Sequence, residues 1–170
     1  MAAEVPAEAD LIALCVPSDL VAQWVITLAD HPATIFDVGS VKSPIIKEIE
    51  RTHTPPPRFV PCHPISGSEK SGPQAADGDL FDGCTVVLTP LANTASAARQ
   101  ACASFWEALG ASLVSMTADE HDAALAVTSH LPHLLAFAFM EQVTDQHWPL
   151  TGGGFRDFSR IAAANPDLWW

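Results

Sequence analysis

Basic residues are scarce in this chain. Eight Lys and Arg stand against 20 Asp and Glu among 170 residues, which gives a formal net charge of −12. A surface this acidic repels phosphate backbones and anionic lipids, so we expect neither nucleic acid nor a membrane as a partner. No stretch approaches the ~20 consecutive apolar residues of a membrane span, and the N-terminus lacks a basic and then apolar signal. These absences predict a cytoplasmic protein.

Cysteines are also few, and no CxxC pair occurs among Cys15, Cys62, Cys84 and Cys102. Cys15 and Cys84 lie in apolar, strand-like runs and Cys102 lies in an Ala-rich segment, so we expect reduced core cysteines. Cys62 precedes a histidine and could instead be the nucleophile of a thiol hydrolase that alkylating agents inactivate. Nothing else in the sequence supplies the remaining groups of such an enzyme.

Apolar residues are plentiful, at 48% of the chain against 16% charged, which supports a packed core. Short apolar runs alternate with helical patterns in the first part of the sequence. The runs predict strands at 10–16, 34–36, 58–61, 84–89 and 111–116. Helices are predicted at 18–29, from 43 onward and at 94–109, with Ser18, Asp19 and Ser43 as N-terminal caps and Pro44 in a first turn. This alternation predicts an α/β fold with a parallel sheet and right-handed crossovers.

The pattern changes at Thr117. The segment Thr-Ala-Asp-Glu that ends at Glu120 is a capping-box signature, and it opens a long apolar helix that we expect to reach about Val143. No strand is predicted after it. We therefore expect a dinucleotide-binding type of domain over residues 1–117 and the start of an all-helical domain over 118–170.

His130 and His133 flank Pro132 within this long helix. Their spacing places both imidazoles on one helix face, but no acidic or thiol ligand lies at helical spacing beside them, so we expect no metal site. Pro132 lacks an amide hydrogen and should bend the helix, freeing a carbonyl near Thr128. Such a bend could shape a pocket wall, or it could be a kink in the core.

Polar segments follow two of the predicted strands, at 37–42 and at 63–72. Ligands of an open α/β sheet bind outside the carboxyl ends of its strands, so both segments should open onto one edge. Gly39 would permit close backbone approach, Ser40 offers a hydroxyl and His63 offers an imidazole. Ordinary turn chemistry is the alternative, but a histidine and a serine at the same edge favour a functional site.

Half of the eight cations lie in glycine-containing motifs: Lys42, Lys70, Arg156 and Arg160. The segment 152–160 begins with three glycines, and its two arginines are four residues apart, which places both guanidiniums on one helix face. Such a pair suits the binding of a carboxylate. The alternative interpretation is a solvated helix end with ordinary surface ion pairs.

Several longer motifs carry a resemblance to a known family. The motifs are DVGSVK, HPISGSEKSG, the FW..LGA turn, HDAALAVTSHLPHLLAFA and GGGFRDFSRIA..NPDLW. Together, and in this order from about residue 10 to 169, they resemble the prephenate/arogenate dehydrogenase family of tyrosine biosynthesis. The resemblance implies an NAD- or NADP-dependent oxidative decarboxylation of prephenate or arogenate, and a homodimer.

The resemblance also implies roles for individual residues. His63 would be the catalytic imidazole that accepts the proton of the substrate's ring hydroxyl, and Ser40 would orient that hydroxyl. Arg160 would bind a substrate carboxylate. The rest of the substrate pocket would consist of Ser68, Glu69, His133, Arg156 and Trp169. Cofactor contacts would fall on Val16, Pro17, Gly39, Ser40 and Pro64.

One family feature is missing from the sequence. No GxGxxG turn occurs, so we expect an incomplete Rossmann-type sheet in which residues 10–16 form an apolar edge strand. Without a pyrophosphate cradle the chain loses several charge-assisted hydrogen bonds of roughly 1.5–3 kcal/mol each, which predicts weak cofactor binding by this chain alone. The alternative to an active dehydrogenase is a catalytically silent homologue that binds prephenate-like acids or a partner chain.

Overall fold

The computed structural model describes residues 5–67, 74 and 76–163. The chain forms two compact units. Unit 1 holds the described residues up to Ser66 together with Asp77–Asp122, and unit 2 holds the described residues of 67–76 and those from Ala123 onward.

Unit 1 contains one five-stranded sheet. Its strands are β1 (Leu11–Leu14), β2 (Thr34–Asp37), β3 (Phe59–Ile65), β4 (Thr85–Leu88) and β5 (Ser112–Ser115), and they lie side by side in that order. β1, β2 and β3 are parallel, and so are β4 and β5. The predicted strands are therefore all present, and β1 has a sheet neighbour on one side only, as expected for an edge strand.

The sheet is not wholly parallel, which corrects one prediction. β4 runs antiparallel to β3, with His63 opposite Val87. Parallel neighbours need a long crossover, usually a helix, whereas antiparallel neighbours can be joined directly. The described part of the connection between β3 and β4 contains turns and no α-helix, which is consistent with a return in the opposite direction.

Three helices cover the sheet in unit 1: α1 (Ser18–Thr27), α2 (Ser43–Glu50) and α3 (Ser96–Ala108). The core has two parts. Side chains of α1 and α2 pack with one set of strand residues that includes Ile35 and Phe59, and side chains of α3 pack with another set that includes Phe36 and Val60. Because successive strand residues point to opposite faces, these neighbours show that β2 and β3 are buried on both sides.

The predicted N-terminal caps of α1 and α2 are wrong. α1 begins after Pro17 without a side-chain cap, so Ser18 lies inside its first turn. Ser43 is likewise the first residue of α2, with Pro44 next to it as predicted. The Ser43 hydroxyl instead donates to Asp119 Oδ1 at 2.6 Å. The backbone amides at the start of this helix are bound by a distant carboxylate, since Lys42 and Ser43 both donate to Asp122.

The capping box at Thr117 is confirmed. The Thr117 amide donates to Glu120 Oε2 at 2.8 Å, and the Glu120 amide donates to Thr117 Oγ1 at 3.2 Å. Hydrogen bonding from Thr117 to the Glu120 carboxylate lowers the pKa of Glu120. They start α4 (Ala118–Leu125), which is followed by a π-helical turn (Ala126–His130) and by α5 (Leu131–Met140).

The π-helical turn directly precedes Pro132. A proline that lacks its amide hydrogen is a common cause of such interruptions. His133 Nδ1 donates to the Ser129 carbonyl at 2.9 Å, so the side chain compensates for part of the disturbed ladder. The helical run ends at Met140 rather than near Val143.

The same helical run corrects the statement that no apolar stretch is long enough to span a membrane. Ala118–Met140 is 23 residues long with a hydropathy of 1.5, so it passes that test by length and composition alone. The core helix of a soluble protein passes the same test. The remaining elements of unit 2 are a 3-10 helix (Asp145–Leu150), α6 (Gly153–Ser159) and a second 3-10 helix (Arg160–Ala163).

Candidate functional site

A buried ion pair supports the turn after β2. Asp37 ends that strand, and its carboxylate contacts the Lys42 ammonium, with both side chains fully buried. Lys42 Nζ also donates to the Cys62 carbonyl at 2.7 Å, and the Cys62 amide donates to Asp37 Oδ1 at 3.3 Å. A buried charge pair is stable only when its remaining hydrogen-bonding capacity is satisfied, and this pair meets that condition through the β3 backbone. The pair therefore ties the turn to the residue that precedes His63.

Gly39 lies where the turn passes close to other groups. Its amide donates to Asp37 Oδ2 at 2.9 Å. A Cβ atom at this position would lie 3.0 Å from that oxygen and 3.2 Å from Ser18 Oγ, so even alanine would require a shift. This contact with the protein is one reason for a glycine here. Its predicted contact with a cofactor stays a prediction.

His63 is half-buried near the carboxyl end of β3, and its ring contacts a second histidine. His63 Nδ1 lies 2.8 Å from His121 Nε2, and His121 Nδ1 lies 2.7 Å from Asp122 Oδ1. His121 is fully buried, whereas Asp122 retains 24% exposure. Three side chains, one from β3 and two from α4, therefore form a continuous hydrogen-bonded chain.

Asp122 also binds the start of α2. Its two carboxylate oxygens accept the amides of Lys42 at 2.9 Å and Ser43 at 2.8 Å. Burial alone would raise the pKa of Asp122, but the hydrogen bonds from His121 and from these two amides outweigh it, so the pKa is lowered. Asp122 is consequently ionised at neutral pH and carries a fixed negative charge next to His121.

His121 and Asp122 were not among the predicted site residues. Both belong to the HDAALAVTSHLPHLLAFA motif, and both follow directly after the capping box. A His-Asp pair in the first turns of a helix was the available signal. Its importance depends on His63, which is 58 positions away.

The strand register brings several predicted residues to one edge of the sheet. Leu14 is aligned with Asp37, and Asp37 with Pro61, so these parallel strands end at one level. The residues just beyond that level include five predicted site positions: Val16, Pro17, Gly39, Ser40 and His63. Ser40 and Pro17 are exposed, whereas Pro64 is buried within β3. Unit 1 therefore collects the predicted catalytic and cofactor-contacting residues at one edge.

The other predicted residues belong to unit 2 or fall outside the described residues. His133 lies in α5, Arg156 in α6 and Arg160 at the following 3-10 helix. Both arginines are exposed, and within the part of the chain that the structure describes neither forms an ion pair with a carboxylate. Ser68, Glu69 and Trp169 lie outside the described residues.

The cysteine predictions are partly wrong. Cys62 and Cys102 are buried in the core with their sulfurs 3.2 Å apart, Cys84 is half-buried and Cys15 is exposed. Burial, together with the hydrogen bond to Cys102, raises the pKa of Cys62 well above its ordinary value. Cys62 therefore remains a neutral thiol that reagents cannot reach, which argues against the thiol hydrolase.

Two further features complete the description. Across residues 5–67 and 76–163 no group of three or more His, Cys, Asp or Glu side chains is arranged to hold a metal ion. Unit 2 has an open, mainly apolar cleft of about 280 Å³, whose lining includes Phe139, Val143, His147, Leu150 and Phe155. Among the predicted site residues that the structure describes, none lines this cleft.

Known protein families match nearly the whole of this chain. A family model described as the prephenate dehydrogenase nucleotide-binding domain matches residues 3–115, and one described as the prephenate dehydrogenase dimerization domain matches 117–170. A cyclohexadienyl dehydrogenase from Zymomonas mobilis is 39% identical, with 95% of this chain and 58% of that protein covered. A prephenate dehydrogenase from Bacillus subtilis is 34% identical, with 82% and 39% covered.

Solved structures give the same picture. Prephenate dehydrogenase from Aquifex aeolicus, in complex with hydroxyphenyl propionate and NAD+, matches with a TM-score of 0.83 and 34% identity over 94% of this chain and 58% of that one. Synechocystis arogenate dehydrogenase matches with a TM-score of 0.75 and 31% identity over 96% and 62%. The chain thus spans less than two thirds of each of these relatives.

Proposed function

Since the chain belongs to the prephenate dehydrogenase family, we propose that it takes part in the NAD- or NADP-dependent oxidative decarboxylation of prephenate or arogenate. In this reaction a hydride leaves the ring carbon that bears the hydroxyl, carbon dioxide departs, and the hydroxyl loses its proton. The observation that carries the proposal is the position of His63. Its imidazole lies at the carboxyl edge of the sheet beside the Ser40 turn and is held by a hydrogen-bonded partner.

His63 is the proposed base. A neutral imidazole is competent to take a proton near neutral pH, and removal of the hydroxyl proton supplies electrons to the departing hydride. Ser40 is exposed at the same edge, where its hydroxyl is proposed to orient the substrate hydroxyl toward His63.

The edge residues suit the nicotinamide end of the cofactor. The turns after β1 and β2 lie outside the carboxyl ends of parallel strands, which is where dinucleotides bind in such sheets. Val16, Pro17, Gly39, Ser40 and Pro64 are the proposed contacts. A bound nicotinamide would accept the hydride. Because the sequence has no GxGxxG turn, we expect this chain to bind the cofactor weakly.

The two arginines of unit 2 are the proposed binding groups for the substrate. Arg156 and Arg160 are one helical turn apart and exposed, so their guanidiniums are available to an anionic ligand. Ser68, Glu69, His133 and Trp169 are proposed to complete this pocket.

Unit 2 also has the properties of a subunit interface. Its helices expose many large apolar side chains, among them Val127 at 65% and Leu134 at 52%. A face of this kind is typical of an association surface. We propose a homodimer in the cytoplasm, in keeping with the dimerization domain that the second family model describes.

The test is a variant series assayed with prephenate or arogenate at saturating NAD or NADP, following the absorbance of the reduced nicotinamide. His63→Asn should lower kcat by roughly 10²- to 10⁴-fold, the usual contribution of a general base. Arg160→Ala should mainly raise KM. His53→Asn is the matched control, since His53 is an exposed histidine of the same unit.

A second candidate function follows from the missing GxGxxG turn. A silent homologue would bind prephenate without turning it over. Calorimetry that detects prephenate binding, together with no turnover of prephenate or arogenate at saturating NAD or NADP, would favour this alternative. Full activity of His63→Asn would exclude the proposed base.

A further inference from the structure

We propose that His121 and Asp122 are positioning residues that hold His63 in the tautomer protonated at Nδ1, so that Nε2 is its basic nitrogen. This inference rests on the proposed role of His63 as the base. It concerns which nitrogen of that residue acts and which groups determine the choice.

The direction of each hydrogen bond follows from Asp122, the carboxylate at the end of the hydrogen-bonded series. An ionised carboxylate can only accept, so the bond of 2.7 Å between Asp122 and His121 must have its hydrogen on His121 Nδ1. In a neutral imidazole the other nitrogen is then an acceptor. His121 Nε2 therefore accepts the bond of 2.8 Å from His63, which places a hydrogen on His63 Nδ1.

The orientation of Asp122 is itself fixed. Its two oxygens accept the backbone amides of Lys42 and Ser43, and the adjacent Asp119 accepts the Ser43 hydroxyl. A flipped His121 would direct a lone pair at this carboxylate, and the burial of His121 leaves no water to compensate. One hydrogen-bonding pattern is consequently favoured for His63, His121 and Asp122 together.

The arrangement also accounts for the proton. The substrate hydroxyl proton moves to His63 Nε2 and gives an imidazolium that keeps its hydrogen on Nδ1. His121 accepts from that nitrogen throughout, and the negative Asp122 stabilises the new positive charge through His121. No proton has to reach Asp122. In other enzymes that use a histidine base, an orienting carboxylate has this role and binds the catalytic histidine directly, without a second histidine between them.

The direct test is nitrogen-15 NMR of the histidines in the purified chain, at a pH where the imidazoles are neutral. Long-range couplings identify the protonated nitrogen of each ring. We expect Nδ1–H for both His63 and His121. An Nε2–H form of His63 in the unaltered protein would overturn the inference, and this measurement needs no variant that has to fold.

Two variants then separate positioning from structural support. His121→Phe keeps a ring but removes the acceptor, so His63 should lose its fixed tautomer, and kcat should fall about 10- to 100-fold, as when a group orienting a functional histidine is lost. His121→Gln restores an acceptor oxygen and should recover much of the fixed His63 tautomer and much of the kcat. If His121→Phe folds and leaves the His63 tautomer unchanged, the inference is wrong.

The outcomes also separate this inference from the proposed function. A chain that shows the expected tautomers but turns over neither prephenate nor arogenate would contradict the proposed function alone. Turnover that requires His63, combined with an Nε2–H tautomer of His63, would contradict the inference alone.

Discussion

The two units of this chain differ in how far their apolar side chains are buried and their charged side chains are paired. In unit 1 the buried charges of Asp37 and Lys42 bind each other, and both faces of the central strands are covered, although the buried Trp106 Nε1 has no hydrogen-bond partner among the described residues. In the described part of unit 2, apolar side chains such as Leu150, at 85% exposure, face outward, and the arginines have no carboxylate partner. Unit 1 therefore holds its charged groups in fixed positions, whereas the described part of unit 2 leaves cationic and large apolar side chains at its surface.

The two units also differ in how their charged side chains are held. In unit 1 the charges of Lys42, Asp37 and Asp122 are each held by more than one hydrogen bond, so the proposed proton transfer to His63 would need little reorganisation of these groups. In unit 2 the guanidiniums of Arg156 and Arg160 are exposed. The proposed function therefore predicts that affinity for a substrate carboxylate depends on unit 2 and that proton transfer depends on unit 1.

The largest expected effect is the loss of one partner from the buried ion pair. Lys42→Met should destabilise the protein by about 3–5 kcal/mol, because Asp37 would remain buried without a counter-charge. Urea unfolding followed by circular dichroism measures this. Lys47→Met, at an exposed lysine of the helix that follows Lys42, is the control and should change stability by less than about 0.5 kcal/mol. An equal, small effect of both variants would mean that the pair is not a stabilising feature of unit 1.

A smaller contrast compares apolar side chains of the two units. Ile49→Ala removes a fully buried side chain of α2 and should cost about 2–5 kcal/mol of unfolding free energy. Leu134→Ala in α5, at 52% exposure, should cost less than about 0.5 kcal/mol in the monomer. Urea titration at low protein concentration gives both values. A cost for Leu134→Ala that appears only at high concentration would instead show that a second copy covers this face.

The smallest effect concerns Asp122 and depends on pH. At neutral pH Asp122→Asn should destabilise unit 1 by about 1–2 kcal/mol, because only one acceptor oxygen remains and partial exposure weakens the loss. The folded pKa of Asp122 is lowered, so its stabilisation is present above the unfolded value of ~3.9 and is lost as pH falls through the folded pKa.

The unfolding free energies of the two proteins should therefore converge in acid. Urea unfolding across a pH series measures the difference between them. Asp30→Asn, at an exposed carboxylate of unit 1, should show no such pH-dependent difference. A difference that stays constant down to strongly acidic pH would contradict the role assigned to the Asp122 charge.

Much of the fold was predictable from local patterns. Each predicted strand of unit 1 is present, and the Thr117 capping box forms as expected, because both depend on residues that are close in sequence. Gly110 lies just after the C-terminal end of α3 and has a φ of +82°, which a glycine adopts without strain. Hydrophobic period and turn chemistry are local signals, and they were sufficient here.

Other features were predicted wrongly because they depend on distant parts of the chain. The direction of β4 depends on the path of the connection that precedes it rather than on its own residues. Ser43 is the first residue of α2 rather than its cap, and its hydroxyl and its amide both donate to distant carboxylates, those of Asp119 and Asp122. Cys15 lies in an apolar run, but it follows the last residue of the edge strand β1 and is exposed.

The sequence by itself determined the positions of the strands and helices of unit 1, and it contained the motifs that identify the family. Only the tertiary structure decided which polar groups meet. His63 reaches His121 across 58 positions, and Asp122 reaches Lys42 across 80. The physical reason is that propensity and hydrophobic period act over a few residues, whereas a hydrogen bond between distant side chains exists only once strand order and packing have brought its atoms within 3 Å.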